Sequence, residues 1–403
     1  MVADGMKQSA YRHWVSILLM TATITVMFGF GRNVMVVTWP STIDQFAITY
    51  ADVGNLTAAH QGAYLLGSLV AGRMAVSVRP ELVISLSTVV GGALILLVGV
   101  VSDYALLSVT YVSLGLLIAL AWVPMVRFVA LTMDKARRVA ALSIAACGTA
   151  LGFLVNGFII PPVMERYGFA ELWTALGAIT VLVGAASYGA FASLRHTSSD
   201  STLPNGGPRF DEPLEQPDFP ALRFYSVLFL CGMGLVSFQT YYSAYLVEDL
   251  RVTQAAAAQA WILPGVLGAA SGLFLTLIAN RSSIKTTIQL CLVVLGSAYM
   301  ALLMAGSDDV AFVAGALYGL FYFGLFGLFP ALLANLMAAR SASIVFGRAN
   351  LFLGAGSVIG GAAGGRIVHQ LGSFDLFWLT STVAILLAAL LMLPIPSDKD
   401  STA

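Results

Sequence analysis

Charged residues are scarce in this chain of 403 residues: only 10% are Asp, Glu, Lys or Arg, whereas 59% are hydrophobic. A soluble domain carries about 25% charged residues, so this chain has too few to cover a surface that faces water. Its formal net charge is zero, without the basic excess that is typical of nucleic-acid binding. The composition therefore indicates a protein surrounded by lipid and excludes a nucleic-acid partner.

Catalytic and cofactor-binding motifs are also missing. The sequence contains no Walker phosphate loop, no His-Glu-x-x-His pair and no Gly-x-Ser-x-Gly nucleophile turn. Its three cysteines lie inside apolar runs, without the paired spacing of a disulfide or a metal site. We therefore expect no enzymatic activity, no cofactor and no bound metal.

Apolar stretches of about 20 residues, the length that crosses a bilayer as a helix, recur along the whole chain. The first set lies near 14–40, 52–75, 82–102, 104–130, 139–163 and 172–194. The second set lies near 223–247, 255–279, 286–306, 310–337, 345–368 and 374–395. We predict an all-α integral membrane protein with twelve transmembrane helices in two six-helix, pseudo-symmetric bundles.

The two sets are separated by a Pro-, Gly- and acid-rich stretch, which is typical of a flexible linker. We therefore predict bundles at 1–194 and 223–403, joined by a cytoplasmic linker at 195–222. About fifteen Lys and Arg residues lie in the connections on one side of the membrane, and only three lie in those on the other side. Because positive residues favour the cytoplasmic side, both termini are expected in the cytoplasm of a bacterial inner membrane.

An internal repeat supports the arrangement of six helices plus six. Glycines of the first half recur at a constant offset of 204 residues, pairing Gly115 with Gly319, Gly152 with Gly356, Gly157 with Gly361 and Gly168 with Gly372. A constant offset over two helix pairs indicates parallel repeats, related by an axis along the membrane normal.

The segment GSLVAGR, which runs from Gly67 to Arg73, stands at the end of the second predicted helix, before a basic turn at Arg79. It resembles the gating loop of the major facilitator superfamily, except that Gly72 replaces the usual Asp. The stretches GFGRNVMVVTWP and AAHQGAYLLGSLVAGR also resemble the YbfB/YjiJ-like branch of that superfamily. The resemblance covers essentially the whole chain and implies a transporter, with Gly67 and Arg73 in a gating loop.

Arg32 lies deep within the first predicted span. An arginine at such a depth costs about 2.5–3.5 kcal/mol on insertion scales, so it is expected to face a cavity or a partner. None of the acidic residues falls in the middle of a predicted helix, which leaves the substrate as the natural counter-charge. Guanidinium binds carboxylate or phosphate as a planar fork. The alternatives are an arginine that reaches the outer interface or one satisfied by backbone carbonyls.

Further polar side chains inside the predicted spans are candidates for substrate binding: His60, Tyr64, Arg127, Asn156, Gln239, Tyr318 and Tyr322. His60 either couples transport to protons or is bonded to a neighbour within the helix bundle. Arg127 either faces the cavity or anchors the inner interface. Tyrosine near a membrane face usually belongs to the interface belt, whereas Tyr318 and Tyr322 lie deeper and are expected to offer hydroxyl groups to an anion.

These patterns together predict a secondary active transporter that moves a small, carboxylate-like organic anion by alternating access, as a symporter or antiporter. The expected partners are the anionic substrate, the lipid bilayer and protons as a coupling ion, and the expected state is a monomer. The alternative prediction is a proton-coupled exporter of neutral or drug-like compounds on the same fold.

Overall fold

The fold is taken from a computed structural model that describes residues 14–133, 135–197, 219–337 and 339–397. Within these ranges the regular secondary structure is helical throughout. Most of the predicted linker at 195–222, together with both termini, lies outside the described residues.

The long helices of the first half are α1 (Trp14–Val37), α2 (Tyr50–Ser77), α3 (Pro80–Val98), α4 (Tyr104–Thr132), α5 (Gly148–Arg166) and α6 (Phe169–Thr197). Those of the second half are α7 (Ala221–Glu248), α8 (Gln254–Arg281), α9 (Ile284–Ala305), α10 (Asp308–Leu336), α11 (Ala339–Leu371) and α12 (Asp375–Leu391). A short helix, Trp39–Phe46, follows α1, and another, Lys135–Ala146, precedes α5.

Among the described residues, ten helices are long and apolar enough to cross a membrane. The two remaining long helices are α2, which carries polar residues along its length, and α12, which is an apolar helix of only 17 residues. The predicted all-α, multi-pass membrane fold is confirmed.

Contacts within the chain group it into two compact units. The first unit contains Met1–Met35 and Ala63–Gly207, and the second contains Val36–Gly62 and Pro208–Ala403. The ends of α1 and α2 around residues 36–62 therefore pack with the helices of the second half. The bundle boundaries at 194 and 223 came from the sequence alone, and they stay a prediction.

Close helix contacts in the first unit depend on glycine. A Cβ atom added at Gly92 of α3 would lie 2.7 Å from the backbone nitrogen of Val181, and one added at Gly177 of α6 would lie 2.6 Å from that of Leu96. Two helix backbones can approach this closely only where side chains are missing. These two glycines therefore fix the packing of α3 against α6.

The second unit has an aromatic core centred on Phe238 of α7. Its ring stacks on Tyr318 at 4.2 Å, on Tyr242 at 4.7 Å and on Tyr299 at 5.1 Å between centroids. All of these rings are buried. Burial of several large aromatic side chains is a strong packing contribution, so this cluster stabilises the unit internally.

The predicted offset of 204 residues also relates packing contacts within each unit. A Cβ atom at Gly152 of α5 would lie 3.3 Å from the carbonyl oxygen of Thr25, and one at Gly356 of α11 would overlap the carbonyl oxygen of Phe229. Thr25 and Phe229 are themselves 204 residues apart. Each of the two contacted helices, α1 and α7, also contains a π-helical segment, at Thr25–Asn33 and Gly232–Val236.

Candidate functional site

The π-helical segment of α1 is the centre of the candidate site in the first unit. At its end the N–H of Val34 donates to the carbonyl oxygen of Gly29, five residues earlier, which is the bond of a π-helix. The same oxygen accepts a second hydrogen bond from Nδ2 of Asn156 on α5, at 2.9 Å. Such local π turns occur frequently at functional sites.

Gly29 and Gly152 bring α1 and α5 together at this level. A Cβ atom on Gly29 would lie 2.7 Å from the Cα atom of Gly152, and a Cβ atom on Gly152 would lie 2.5 Å from the Cα atom of Gly29. Any larger residue at either position would separate the two helices. The close approach allows the short side chain of Asn156, one turn after Gly152, to reach the carbonyl group of Gly29.

Arg32 lies inside this π segment and is partly exposed. Among the described residues, no hydrogen bond or salt bridge satisfies its guanidinium group. The hydroxyl groups of Tyr64 on α2 and Tyr111 on α4 lie close enough for an electrostatic interaction with it. The nearby polar groups are therefore neutral, and the positive charge of Arg32 is not cancelled.

Arg32 lies five residues before the end of α1 at Val37, and the separate short helix Trp39–Phe46 follows. At 1.5 Å per residue this is about 7.5 Å along the helix axis. The alternative of an arginine that reaches the outer interface therefore stays open beside the role in binding.

Two amide side chains beside the π segment have unused hydrogen-bonding atoms. Asn33 is 1% exposed and Asn156 is 0% exposed. Within the described part of the chain, Nδ2 of Asn33 and Oδ1 of Asn156 have no hydrogen-bond partner. Buried polar atoms of this kind are uncommon in proteins and need an explanation.

The sequence also predicted a binding role for Arg127, which lies in α4. One of its guanidinium nitrogens donates to the carbonyl oxygen of Val78, at 3.2 Å, in the connection between α2 and α3. This contact favours the alternative of an anchor at the inner interface.

Arg127→Gln is therefore expected to lower the free energy of unfolding by about 1 kcal/mol, the usual contribution of one hydrogen bond. The substrate concentration at half-maximal transport should not change. Thermal unfolding in detergent and uptake by proteoliposomes measure the two quantities. A large loss of substrate affinity with unchanged stability would contradict the anchoring role.

The predicted gating residues lie on α2 in the first unit. Gly67 packs closely on α4, because an added Cβ atom would lie 2.6 Å from the carbonyl oxygen of Leu116. Arg73 is exposed. Their role in gating stays a prediction.

The other predicted site residues lie in the second unit. His60 and Gln239 are each 2% exposed, and Oε1 of Gln239 has no hydrogen-bond partner among the described residues. The hydroxyl group of Tyr318 donates to the carbonyl oxygen of Leu235, at 3.1 Å. The ring of Tyr322 stacks on that of Tyr318, at 4.4 Å. The Tyr318 hydroxyl group therefore donates its hydrogen bond to the protein backbone and does not offer it to a ligand.

An open cavity of about 380 Å³ lies in the second unit, where α7 ends, and is lined in part by Glu248, Asp249 and Asp375. Burial raises the pKa of Asp249, and the nearby carboxylates of Asp375 and Glu248 raise this pKa further. The hydrogen bond that Asp249 accepts from the N–H of Phe374 lowers the pKa. Arg251 also lines the cavity, so three carboxyl groups stand against one guanidinium group, and this balance disfavours a negative ligand. This cavity is therefore a poor candidate for an anion site.

Sequence reasoning missed Tyr111 and Asn33 as neighbours of the predicted arginine. Asn33 follows Arg32 directly and is a polar residue in an apolar stretch, so the sequence did contain a signal for it. No such signal marks Tyr111, since a tyrosine in an apolar span is common. Its placement beside the π segment depends on how α4 packs.

Comparison with known proteins gives a family match and a set of similar folds. The model of the Major Facilitator Superfamily matches residues 21–361. A bacterial homologue of the human lysosomal transporter Spinster, in an inward-facing and occupied conformation, superposes with a TM-score of 0.65 at 15% identity, covering 95% of this chain and 94% of the other. Its unoccupied form gives 0.62 at 16% identity, covering 94% and 95%.

A mutant of the nucleoside transporter NupG superposes with a TM-score of 0.68 at 13% identity, covering 94% of this chain and 99% of the other. At such low identities these likenesses show the fold alone. A search of curated protein sequences found no significant match.

Proposed function

The chain belongs to the Major Facilitator Superfamily, and on that premise we propose that it is a secondary active transporter of small organic anions, working by alternating access. Members of this superfamily are transporters, and the chain is a multi-pass membrane protein. We further propose that it is a monomer in a bacterial inner membrane, with both termini in the cytoplasm, and that it falls in the YbfB/YjiJ-like branch.

The observation that carries the proposed substrate class is the guanidinium group of Arg32, which has no acidic partner among the described residues. A positive charge within a membrane is costly until it is paired. A carboxylate can accept two parallel hydrogen bonds from guanidinium, and such charge-assisted bonds are about twice as strong as neutral ones. An incoming anion would therefore remove the cost of the unpaired charge and bind with high specificity.

The tyrosines near Arg32 suit a carboxylate ligand, because a hydroxyl group can donate a hydrogen bond to it. Tyr64 and Tyr111 place hydroxyl groups near the guanidinium group, and the ring of Phe28 packs edge-on against that of Tyr64, at 6.1 Å between centroids. We propose that Tyr64 donates a hydrogen bond to the bound anion. Phe28 would then hold the Tyr64 ring in place.

The second candidate function is a proton-coupled exporter of neutral or drug-like compounds. The buried imidazole of His60 and the unpartnered Oε1 atom of Gln239 favour it, because an imidazole can take up and release a proton and an amide oxygen can bind a polar, uncharged solute. In this case the charge of Arg32 would play no part in binding.

Pairs of ligands that differ only in charge separate the two candidates. The thermal unfolding of the purified protein is measured with lactate and lactamide, benzoate and benzamide, and succinate and succinamide. A ligand at 100 times its dissociation constant stabilises the folded state by about 2.7 kcal/mol. We expect at least one carboxylate to raise the unfolding temperature while its amide does not.

The carboxylate that gives the largest shift is then used in counterflow, with the labelled acid outside proteoliposomes and the unlabelled acid inside. Saturable accumulation of the label identifies a carrier. Equal stabilisation by acids and amides, or stabilisation by amides alone, would contradict the proposed anion specificity and favour the exporter of neutral compounds.

A further inference from the structure

We propose that Asn156 is the positioning residue for Arg32: its side-chain amide holds the π segment of α1 in the register that directs the guanidinium group toward Tyr64 and Tyr111. This inference rests on the proposed function, because it gives Arg32 the task of binding the anion. It assigns to Asn156 an action through α1, in place of the direct substrate contact that the sequence predicted.

The hydrogen bond between Asn156 and Gly29 joins two helices at the start of the π turn. Nδ2 of Asn156 lies 2.9 Å from the carbonyl oxygen of Gly29, and this oxygen also accepts the N–H of Val34. In an ordinary α-helix it would accept the N–H of Asn33, one residue earlier. The π turn contains one residue more than an α-helical turn. Asn156, as a second donor from a neighbouring helix, therefore stabilises this wider turn.

The orientation of the Asn156 amide is fixed by this contact. Only the nitrogen can donate to a carbonyl oxygen, so the Oδ1 atom must point to the other side. That atom has no hydrogen-bond partner among the described residues, although Asn156 is 0% exposed. An unsatisfied buried acceptor is unfavourable. Packing alone therefore does not explain an asparagine at this position. The contribution of the side chain is its hydrogen bond to the carbonyl oxygen of Gly29.

Reversion of the π turn to an α-helix would move Arg32. A π turn contains about one residue more than an α turn, so reversion rotates the residues within and after it about the helix axis, by up to roughly 100°. Between Val26 and Met35, only Phe28 and Arg32 are partly exposed, and the other residues are buried. A rotation of this size would direct the guanidinium group into packed side chains, away from the two tyrosine hydroxyl groups.

The second unit provides an internal comparison. The offset of 204 residues pairs Asn156 with Gly360, Gly29 with Met233 and Arg32 with Val236. A Cβ atom at Gly360 would overlap the carbonyl oxygen of Met233, so no side chain fits there. The π segment of α7 therefore lacks the equivalent of the Asn156 bond, and it accepts a hydrogen bond at another position, from the hydroxyl group of Tyr318 to the carbonyl oxygen of Leu235. Both π segments thus accept a side-chain hydrogen bond from a neighbouring helix, and the amide donor is found beside the segment that contains Arg32.

The first experiment needs no knowledge of the substrate. Arg32→Cys is made in a chain whose Cys147, Cys231 and Cys291 are replaced by serine, and its thiol is modified with the neutral reagent methyl methanethiosulfonate. Asn156→Leu keeps the branched shape of the side chain, although it is larger, and has no donor, and it should slow the modification about tenfold, equal to about 1.4 kcal/mol. An unchanged rate would overturn the proposal.

Thr180→Val in α6 is the matched control. Thr180 is also buried, and its hydroxyl group bonds only the carbonyl oxygen of Leu176 in its own helix, at 2.8 Å. Its loss should leave the modification rate unchanged. Where Asn156→Leu does not fold, Asn156→Ser, which is too short to reach Gly29, takes its place with the same expected result.

The second experiment separates this inference from the proposed function. The stabilisation by the best carboxylate of the ligand screen is measured for Asn156→Leu, Arg32→Gln and the double variant. The double variant should bind no more weakly than Arg32→Gln alone, because Asn156 acts through Arg32. A further loss would instead show direct contact between Asn156 and the anion. No response to any carboxylate in the unmodified protein would reject the proposed function, while the thiol modification would still test the inference.

Discussion

Replacement of Arg32 by Gln is expected to weaken the uptake of the carboxylate strongly and, at the same time, to make the protein without ligand more stable. The affinity should fall between tenfold and a hundredfold, since a hydrogen bond to a charged group contributes about 1.5–3 kcal/mol. The stability should rise because the variant no longer holds an unpaired positive charge in a membrane-spanning helix. Uptake into proteoliposomes and thermal unfolding in detergent measure the two effects.

The same substitution at Arg127 is the matched control. Arg127 also lies in a membrane-spanning helix, but it has a partner in the carbonyl group of Val78. Arg127→Gln should therefore keep its affinity and lose stability, the reverse of Arg32→Gln. If Arg32→Gln lost both affinity and stability, a structural role for Arg32 would replace the role in binding.

Gly54→Leu is expected to stop transport while the carboxylate still binds. In the second unit, α2 packs on α11 where the charge distribution predicts the outer side. A Cβ atom on Gly54 would lie 2.7 Å from the carbonyl oxygen of Gly361 and 3.0 Å from the Cα atom of Gly365. The hydroxyl group of Tyr241 donates to the same oxygen of Gly361, at 2.6 Å.

A leucine at Gly54 cannot fit this contact, so α2 and α11 would have to separate. Overpacking costs about 1–3 kcal/mol, and if each transport cycle must form this contact, turnover should fall between about fivefold and a hundredfold. Stabilisation by the carboxylate should persist, because Arg32 lies in the other unit. Gly272→Leu in α8 is the control, since no described atom outside the backbone of its own helix lies within 4 Å of the added Cβ. Normal turnover in Gly54→Leu would show that the contact is not needed.

The fold was largely predictable from the sequence. Long apolar stretches with few charges specify membrane-spanning helices, because unpaired backbone groups are not tolerated in lipid. Even α2 was recognised, although its polar residues make it less apolar than its neighbours. The packing of residues 36–62 with the helices of the second unit could not be predicted, because it depends on contacts between residues distant in the sequence.

The candidate site was predictable only in part. Arg32 was found because a charge in an apolar span is rare and has one main explanation. The π turn around Arg32 was not predicted. It depends on the close contact between Gly29 and Gly152 and on the hydrogen bond from Asn156. Tyr318 shows the opposite case, because its hydroxyl group looked available in the sequence but donates to the carbonyl group of Leu235.

Direct titration of the best carboxylate into the unmodified protein and into Arg32→Gln is the most decisive measurement. The proposed account predicts saturable binding to the unmodified protein, at least about tenfold weaker binding to the variant, and none of the corresponding amide to either, since each factor of ten is about 1.4 kcal/mol. Equal affinity of the two proteins for the carboxylate would contradict the claim that the charge of Arg32 selects the substrate.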